Sequence, residues 1–466
     1  MTPLPIDFVA SMQRRLGATE AEALCQALDA PAEGAWLRFN PLKTQGYTAG
    51  EGVEATPVPW CATGLRLSRR PAFTYDPLLH AGCFYVQEAA SMFVEQAYRV
   101  LSDRLSPLRL LDLCAAPGGK STLWRSLLPE GSLLVANEPV RQRAQILQEN
   151  LAKWGHPDVV CTQAYPEEFA SLGSFFDVVA ADVPCSGEGM FRKDERARSE
   201  WSTEAVARCA ARQRQIIADV WPALRQGGFL VYSTCTFNRE ENEDNVAHIC
   251  QTLGAETVPL DAPTDWHIEG DTTGRGLHVS HFYPHRTEGE GFFMALLRKT
   301  SEAPSPRTPR KAASKQRAKE QPVKGARQAA GWLHDPDSYR LFQPTEIHLA
   351  AVSKAHYEAV VRLCATVRAL SAGVLLAEAK GQKLIPSQAL ALSTALRPDA
   401  FGRVELSREE ALAYLHREAL VCPPTAPRGY VMACYDGHPL GFMNNLGTRA
   451  NNHYPAEWRI RHEQRD

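Results

Sequence analysis

Between residues 80 and 300 the sequence alternates short apolar runs with amphipathic segments, and this alternation constrains the fold more than any other feature. The apolar runs are Leu108 to Leu111, Leu133 to Ala136, Val159 to Thr162, Phe176 to Ala181 and Phe229 to Tyr232. Helical patterns fall between them at about 122–128, 139–153, 203–224 and 239–252. Such alternation is typical of a doubly wound, mainly parallel α/β sheet. A final buried strand, Phe292 to Leu297, is expected to run antiparallel.

The flanking regions predict further domains. Residues 1–80 carry two amphipathic helical patterns and a strand-like run, which predicts a small α+β module. We assign 81–300 to the α/β domain and 331–466 to a separate C-terminal unit with many short turns. Between them, 301–330 holds eight basic residues, two acidic ones, four prolines and no aromatic residue, which predicts a disordered linker. We expect the two globular parts to move independently.

The composition indicates a soluble globular protein, with 44% apolar and 22% charged residues in a chain of 466. No apolar stretch reaches the roughly 18 residues that a membrane span needs, and the N-terminus lacks a signal-peptide pattern. The 12 cysteines include no Cys-x-x-Cys pair. This pattern disfavours disulfides and metal sites and predicts a cytoplasmic protein.

The net charge of −2 does not itself indicate nucleic-acid binding. The basic linker is either a solubilising tether or a strap that binds phosphates.

A glycine-rich loop follows the first predicted strand and is built from Asp112, Leu113, Cys114, Ala115, Ala116, Pro117, Gly118, Gly119 and Lys120. Such a turn, followed by a helix, places backbone N–H groups and a helix N-terminus beside a ligand. The second predicted strand leads into Glu138, where a carboxylate accepts hydrogen bonds from ribose hydroxyls. The loop and the acid together predict a nucleoside cofactor, whereas the loop alone would indicate only a tight turn. The spacing does not match a Walker motif, which disfavours ATP hydrolysis.

Two further loops carry cysteines just after predicted strands. Asp182 and Cys185 follow the strand from Phe176, and Cys235 follows the strand from Phe229. Groups past the C-terminal ends of parallel strands converge on the ligand crevice, so we expect the acid and both thiols to meet there. A buried cysteine is usually an inert small hydrophobe. A thiolate is nucleophilic, however, and Lys120 and Lys193 are candidate cations for lowering a thiol pKa. This combination indicates covalent catalysis on an electron-poor ring.

Three longer strings carry a specific resemblance: DLCAAPGGKST from residue 112, ADVPCSGEGMFRKD from 181 and YSTCTFNREENEDNV from 232. They closely resemble the Nop/Sun family of S-adenosylmethionine-dependent RNA cytosine-5 methyltransferases. Within it, the chain is most similar to the bacterial ribosomal RNA small-subunit methyltransferase F group. Segments of the C-terminal unit resemble that group's PUA-like RNA-binding tail: Pro386 to Leu390, Pro439 to Gly441 and Asn452 to Pro455.

The resemblance implies a Rossmann-like methyltransferase core over 81–300 and a role for each loop residue. Residues 114–120 would line the methionine and adenosine of S-adenosylmethionine, with Glu138 on the ribose and Asp182 near both cofactor and base. Cys235 would be the nucleophile and Cys185 the second cysteine, which helps to release the product. Attack at carbon 6 of cytosine makes carbon 5 nucleophilic enough to accept a methyl group. Asp182 would neutralise charge at ring N3, and Lys120 completes the expected catalytic set.

The implied partner is RNA, ribosomal RNA above all, with the target base unstacked; neither DNA nor a membrane is expected. The sequence departs from the family pattern at Ala164, where many relatives place an aspartate near the adenine, and around Met443, where we expect a lysine. Two alternatives stay open. One is a transfer-RNA cytosine-5 methyltransferase, and the other is a non-catalytic RNA-binding ribosome-assembly factor. Retention of Cys185, Cys235 and Asp182 disfavours the second.

Overall fold

The computed structural model describes residues 2–31, 34–48, 50–287, 289–302, 325–381 and 383–461. Residues 303–324 of the predicted linker lie outside the described residues, so their disorder stays a prediction. The predicted disorder is wrong at the end of the segment, because 326–330 form a helix whose Ala329 is buried in the C-terminal core. Among the helices in the described ranges, none has both the length and the apolarity needed to cross a membrane.

The N-terminal module combines two helices with a small antiparallel sheet. Its elements are α1 (Ile6–Leu16), α2 (Ala18–Asp29), β1 (Ala35–Phe39), β2 (Ala55–Pro57), β3 (Gly64–Leu67), α3 (Pro77–His80) and β4 (Phe84–Val86). The sheet order is β2-β3-β1-β4. The apolar face of α1 does not pack on this sheet. Phe8 instead meets Phe191 edge to face with ring centroids 5.1 Å apart, in a cluster that also contains Phe237. The first helix therefore packs against segments that adjoin both cysteine loops.

The α/β core follows. Its helices are α4 (Val94–Ser102), α5 (Gly119–Leu127), α6 (Arg141–Trp154), α7 (Glu195–Glu200), α8 (Thr203–Val220) and α9 (Glu243–His248). Its strands are β5 (Arg109–Asp112), β6 (Leu133–Asn137), β7 (Val159–Thr162), β8 (Phe176–Asp182), β9 (Leu224–Thr234), β10 (Ala255–Val258), β11 (Ser280–Phe282) and β12 (Phe292–Lys299). Strands β5 to β9 pair in parallel, and β12 joins β9 antiparallel. The predicted doubly wound α/β class and the antiparallel last core strand are confirmed.

Both faces of the parallel sheet are buried, as helices on each side require. Successive strand residues point to opposite faces. Accordingly, Leu110 and Val178 lie in one core cluster, while Leu111 and Val179 lie in the other. Each side chain of this size contributes about 1.5–3 kcal/mol when fully buried. The strands that carry the predicted loops are therefore held rigidly.

The described residues of the C-terminal region, 325–381 and 383–461, form two more four-stranded sheets. The helices are α10 (Ala326–Ala330), α11 (Tyr357–Thr366), α12 (Gln388–Leu392) and α13 (Arg408–Leu415). The strands are β13 (Tyr339–Phe342), β14 (His348–Ser353), β15 (Ala369–Ala372), β16 (Val374–Lys380), β17 (Lys383–Pro386), β18 (Gly402–Glu405), β19 (Gly429–Tyr435), β20 (His438–Asn445) and β21 (Ala450–Asn452). The two sheet orders are β13-β14-β16-β17 and β18-β19-β20-β21.

The C-terminal region is not a detached unit, because β15 leaves it and pairs antiparallel with β7 at the edge of the core sheet. Val360 and Leu363 of α11 lie in the same core cluster as Val135 of β6. The tail also reaches the N-terminal module, where Tyr454 Oη lies 3.3 Å from His80 Nδ1. The expectation of two independently moving parts is wrong. Pairing between two strands that lie more than 200 residues apart in the sequence leaves no local signal.

Candidate active site

The C-terminal ends of four neighbouring parallel strands form the candidate site. The strands lie in the order β9-β8-β5-β6. Their register pairs Asp112 with Ala180 and Asp182 with Ser233. Because the carboxyl ends of parallel strands meet at one edge, the three loops predicted to carry chemistry converge there.

The glycine-rich loop links β5 to α5 and is held mainly through its backbone. Ala115 N donates to Asn137 O at 2.8 Å, which ties the loop to the end of β6. Gly118 caps α5 with a φ of +118°, a conformation that side chains rarely adopt. A Cβ at Gly118 would lie 3.3 Å from Leu147 Cδ1. The loop backbone at Gly118 therefore packs closely against α6.

Arg38 of β1 supports this loop and was missed by the sequence analysis. It is fully buried, donates from Nη2 to Gly119 O at 2.7 Å, and donates from Nε to Gln87 Oε1 at 2.6 Å. Its guanidinium also lies over the ring of Trp154 at 4.6 Å. An arginine in a different module gives no local signal, because its partners are known only once the two modules have packed.

Two carboxyl groups are buried beside the loop. Glu138 is 2% exposed; its Oε1 accepts from Val140 N at 3.0 Å, and its Oε2 lies 3.4 Å from Arg143 Nη1. Burial raises the pKa of Asp112 to about 7, although Ser121 Oγ donates to it at 2.6 Å. Glu138 is thus held at the tip of the second core strand, where the sequence placed it.

Lys120 and Asp182 form an ion pair across the edge, with Nζ 2.9 Å from Oδ2. Burial alone would lower the pKa of Lys120, but the charges of Asp182 and Asp112 outweigh it, so the pKa is raised and the ammonium stays charged. Ser233 Oγ donates to the other carboxylate oxygen at 2.7 Å. Both oxygens of Asp182 therefore accept hydrogen bonds at the mouth of the site.

The two predicted cysteines meet, with Cys185 Sγ 3.1 Å from Cys235 Sγ. The hydrogen bond to Cys235 raises the pKa of Cys185 well above that of an ordinary thiol, and burial adds to it. Either sulfur can donate in this contact, so the structure brings the two thiols together at the strand edge without distinguishing their roles.

Two further positions singled out in the sequence are Lys193 and Ala164. Lys193 is not paired with a thiol, since its Nζ lies 3.0 Å from Glu290 Oε1. Ala164 is buried and its backbone bonds to the side chain of Asn137, while the next residue, Tyr165, is 58% exposed. Three buried residues around the cysteines were missed, namely Glu188, Asn238 and Glu241. The run of polar residues after Cys235 is the sequence signal that could have found the last two.

Sequence comparison covers most of the chain. Residues 104–298 match the family described as 16S rRNA methyltransferase RsmB/F, residues 4–89 match the N-terminal domain of 16S rRNA methyltransferase RsmF, and residues 401–460 match the methyltransferase RsmF PUA domain. Ribosomal RNA small subunit methyltransferase F of Escherichia coli O157:H7 is 34% identical over 90% of this chain and 89% of its own length. The protein of the same name from Citrobacter koseri gives the same values.

The chain belongs to the 16S rRNA methyltransferase RsmB/F family. It is therefore a methyltransferase that uses S-adenosylmethionine. Among solved structures, a methyltransferase homologue from Pyrococcus horikoshii is 26% identical and covers 63% of this chain and 94% of its own, with a TM-score of 0.52. NSun6 from the same organism, solved with SFG, is 22% identical and covers 64% and 99%, with a TM-score of 0.54, which supports the fold alone.

The residues at the strand edge fit S-adenosylmethionine chemically. The cofactor carries a sulfonium cation and a ribose diol, and the edge presents the carboxylates of Asp182 and Glu138 near the loop. A cationic nucleoside therefore meets negative charge and hydrogen-bond acceptors at this edge.

The tail segments that resemble the family's PUA-like domain have structural roles in this family member. Tyr454 is fully buried, and Asn452 Nδ2 donates to Tyr414 O at 2.8 Å. Gln388 Nε2 donates to Leu440 O at 2.7 Å, and a Cβ on Gly441 would lie 2.3 Å from the hydroxyl of Tyr414. These residues hold the domain together and dock it, so contacts with RNA would have to come from other side chains.

Proposed function

We propose that this chain methylates carbon 5 of a cytosine in small-subunit ribosomal RNA through a covalent bond between Cys235 and the base. The observation that carries the proposal is the 3.1 Å approach of the two sulfurs at the strand edge, next to the Lys120–Asp182 pair. A module that only binds RNA needs neither thiol. A methyltransferase without a covalent step needs no second thiol 3.1 Å from the first.

Cofactor binding is assigned to the loop from Cys114 to Lys120, with Glu138 on the ribose and Asp182 near the reacting centre. The buried carboxylate of Glu138 accepts hydrogen bonds from hydroxyl donors without losing its contact to Val140 N. Ala164 offers no carboxylate for the adenine, so that ring is left to backbone and apolar groups. When bound, S-adenosylmethionine supplies the methyl group from its sulfonium.

The first covalent step belongs to Cys235. Its thiolate forms a bond to carbon 6 of the cytosine, and the electrons of the ring double bond move to carbon 5 and towards N3. Asp182 and the Lys120 ammonium 2.9 Å away share the proton that neutralises the charge developing at N3 as the thiolate attacks. Carbon 5 is then nucleophilic enough to accept the methyl group.

Release reverses the attack. The proton on carbon 5 leaves to a base, its electron pair restores the ring double bond, and the carbon–sulfur bond breaks to return Cys235 as a thiolate. The proton taken up at N3 returns to the Asp182–Lys120 pair. Cys185 is the base in this proposal. Its main pKa-raising partner is the Cys235 sulfur, which becomes a neutral thioether in the adduct. Cys185 can then lose its proton to solvent and accept the one from carbon 5.

The target base must leave its stack to reach this edge, so the substrate is single-stranded or flipped RNA.

We also propose the domain limits 1–80, 81–300, 301–330 and 331–466. A cytoplasmic location follows from a ribosomal RNA substrate. The family match to methyltransferases of ribosomal RNA favours this substrate over transfer RNA.

Transfer of radiolabelled methyl groups to isolated ribosomal RNA, small subunits and transfer RNA tests the substrate class. Bisulfite sequencing of RNA from cells with and without the protein locates the base. We expect one cytosine of the small-subunit RNA to lose its methyl group in cells without the protein. Loss confined to transfer RNA would support the first alternative, and no loss in either RNA would support a binding factor.

A further inference from the structure

The two cysteine loops hold each other through buried carboxylates. Glu188 belongs to the loop of Cys185, and its Oε2 accepts from Phe237 N at 2.6 Å and Asn238 N at 2.9 Å, both in the loop of Cys235. Glu241 follows Cys235, and its two oxygens accept from Ser186 N in the loop of Cys185 at 3.3 and 3.0 Å. Each loop therefore fixes the backbone of the other.

Side chains complete both carboxylate sites. Asn238 Nδ2 donates to Glu188 Oε1 at 3.0 Å and to Glu241 Oε1 at 2.7 Å, so it joins the two acids. Gln213 Nε2 donates to Glu241 Oε2 at 2.6 Å, and Trp201 Nε1 donates to Glu188 Oε1 at 3.0 Å. Both acids are fully buried. Because their partners here are all N–H donors, only the ionised carboxylates satisfy them.

This network acts directly on the spacing of the thiols. Gly189 N donates to Cys235 O at 2.9 Å, one residue after Glu188. Ser186, whose N–H is held by Glu241, immediately follows Cys185. These bonds hold the two loops in the register in which the sulfurs lie 3.1 Å apart. The charge of Glu241 also contributes, after the Cys235 hydrogen bond and burial, to the raised pKa of Cys185.

We propose that Glu188 and Glu241 are positioning residues with separate effects, in which Glu188 holds Cys235 for attack and Glu241 holds Cys185 for release. This inference deepens the proposed function and rests on it. It predicts that the two acids, although alike in burial and bonding, affect different steps of the same reaction.

Replacing each acid by glutamine is the sharpest test. Glutamine keeps the size of the side chain but places an NH₂ group opposite an N–H donor. Glu240→Gln is the matched control, since Glu240 is the exposed neighbour of Glu241. Denaturing gels with substrate RNA and S-adenosylmethionine report the covalent adduct, and single-turnover assays report the first methyl transfer. Cys185→Ala and Cys235→Ala serve as references on the same gel, and circular dichroism checks folding.

We expect E241Q to accumulate adduct as Cys185→Ala does, with multiple turnover slowed about tenfold to a hundredfold, the scale of a hydrogen bond to a charged group. Its first methyl transfer should be nearly unchanged. E188Q should form no adduct and lose the first turnover. If E241Q does not fold, Glu241→Asp keeps the charge but shortens the reach to Ser186 N, and it should give the same adduct more weakly.

If Cys185→Ala accumulates adduct and neither Glu241 variant does, the inference is overturned while the proposed function stands. If E241Q and E188Q lost first methyl transfer and adduct release to the same extent, both acids would have only a general structural role. That result would also overturn the inference. An absence of adducts with Cys185→Ala would overturn the proposed function, and this inference with it.

Discussion

Arg15 Nη2 lies 2.6 Å from Glu243 Oε1, and this buried pair joins the first helix to the segment that follows Cys235. His281 Nε2 approaches the same oxygen at 3.0 Å. Burial opposes ionisation of Glu243, but His281 and Arg15 outweigh it and lower its pKa to about 2. The N-terminal module is thus tied electrostatically to the catalytic edge.

This pair predicts a pH-dependent contribution to stability. Because the pKa of Glu243 is lowered on folding, its stabilisation is complete above the ordinary value of 4.5 and is lost as the pH falls towards 2. Glu243→Gln should lower the melting temperature at pH 7, and the gap to the unmodified protein should narrow below pH 4.5. Thermal unfolding at several pH values measures this. A gap that is constant across this range would show that the charge of Glu243 contributes nothing.

The cysteine roles predict opposite outcomes for two similar substitutions. Cys235→Ala should abolish methyl transfer while leaving S-adenosylmethionine binding nearly unchanged, since this sulfur meets the base. Cys185→Ala should accumulate a covalent protein–RNA adduct, because attack proceeds while release stalls. Denaturing gels with substrate RNA distinguish the two. Adducts with Cys235→Ala alone would mean that the roles are reversed.

The cofactor assignment predicts that Glu138→Ala weakens S-adenosylmethionine binding by about 1–3 kcal/mol, the cost of leaving buried hydrogen-bonding groups unpaired. Calorimetric titration measures the dissociation constant directly. Glu149→Ala is a control that should leave binding unchanged, because Glu149 lies within α6 and is paired with Lys153. An unchanged dissociation constant for Glu138→Ala would show that Glu138 does not bind the ribose.

Close packing at Gly189 predicts a specific defect. An added Cβ would lie 2.9 Å from Cys235 O and 2.8 Å from Gly291 O, two backbone atoms that cannot move aside easily. Gly189→Ala should therefore cost about 1–3 kcal/mol of stability and slow methyl transfer by displacing Cys235. Gly270→Ala is the control, because nothing lies within 4 Å of its Cβ position. Equal activities of the two variants would contradict the close contact.

The basic linker predicts salt-dependent RNA binding. Residues 301–330 carry eight basic and two acidic residues, a net charge of +6 in a chain of −2. Each phosphate neutralised on a single strand adds roughly 0.7 to the log–log salt slope. If the linker engages about four phosphates, neutralising its basic residues should flatten the slope by nearly 3 units. RNA affinity from low to high salt measures this. Identical slopes would make the segment a passive tether.

The sequence by itself determined the α/β class, the strand ends and the loops that carry Cys185, Cys235, Asp182 and Glu138. These features are local: a strand is a short apolar run, and a parallel sheet brings every strand's carboxyl end to one edge. Knowing which strands were parallel was enough to predict that these loops lie at one edge of the sheet.

Only the tertiary structure decided what holds those side chains in place. Arg38 supports the cofactor loop from another module, Glu188 and Glu241 connect two loops 50 residues apart, and β15 extends the core sheet from the C-terminal region. Each of these contacts joins distant segments through one or a few hydrogen bonds. No periodicity or spacing encodes such a partner, because it is selected by the packing of the complete chain.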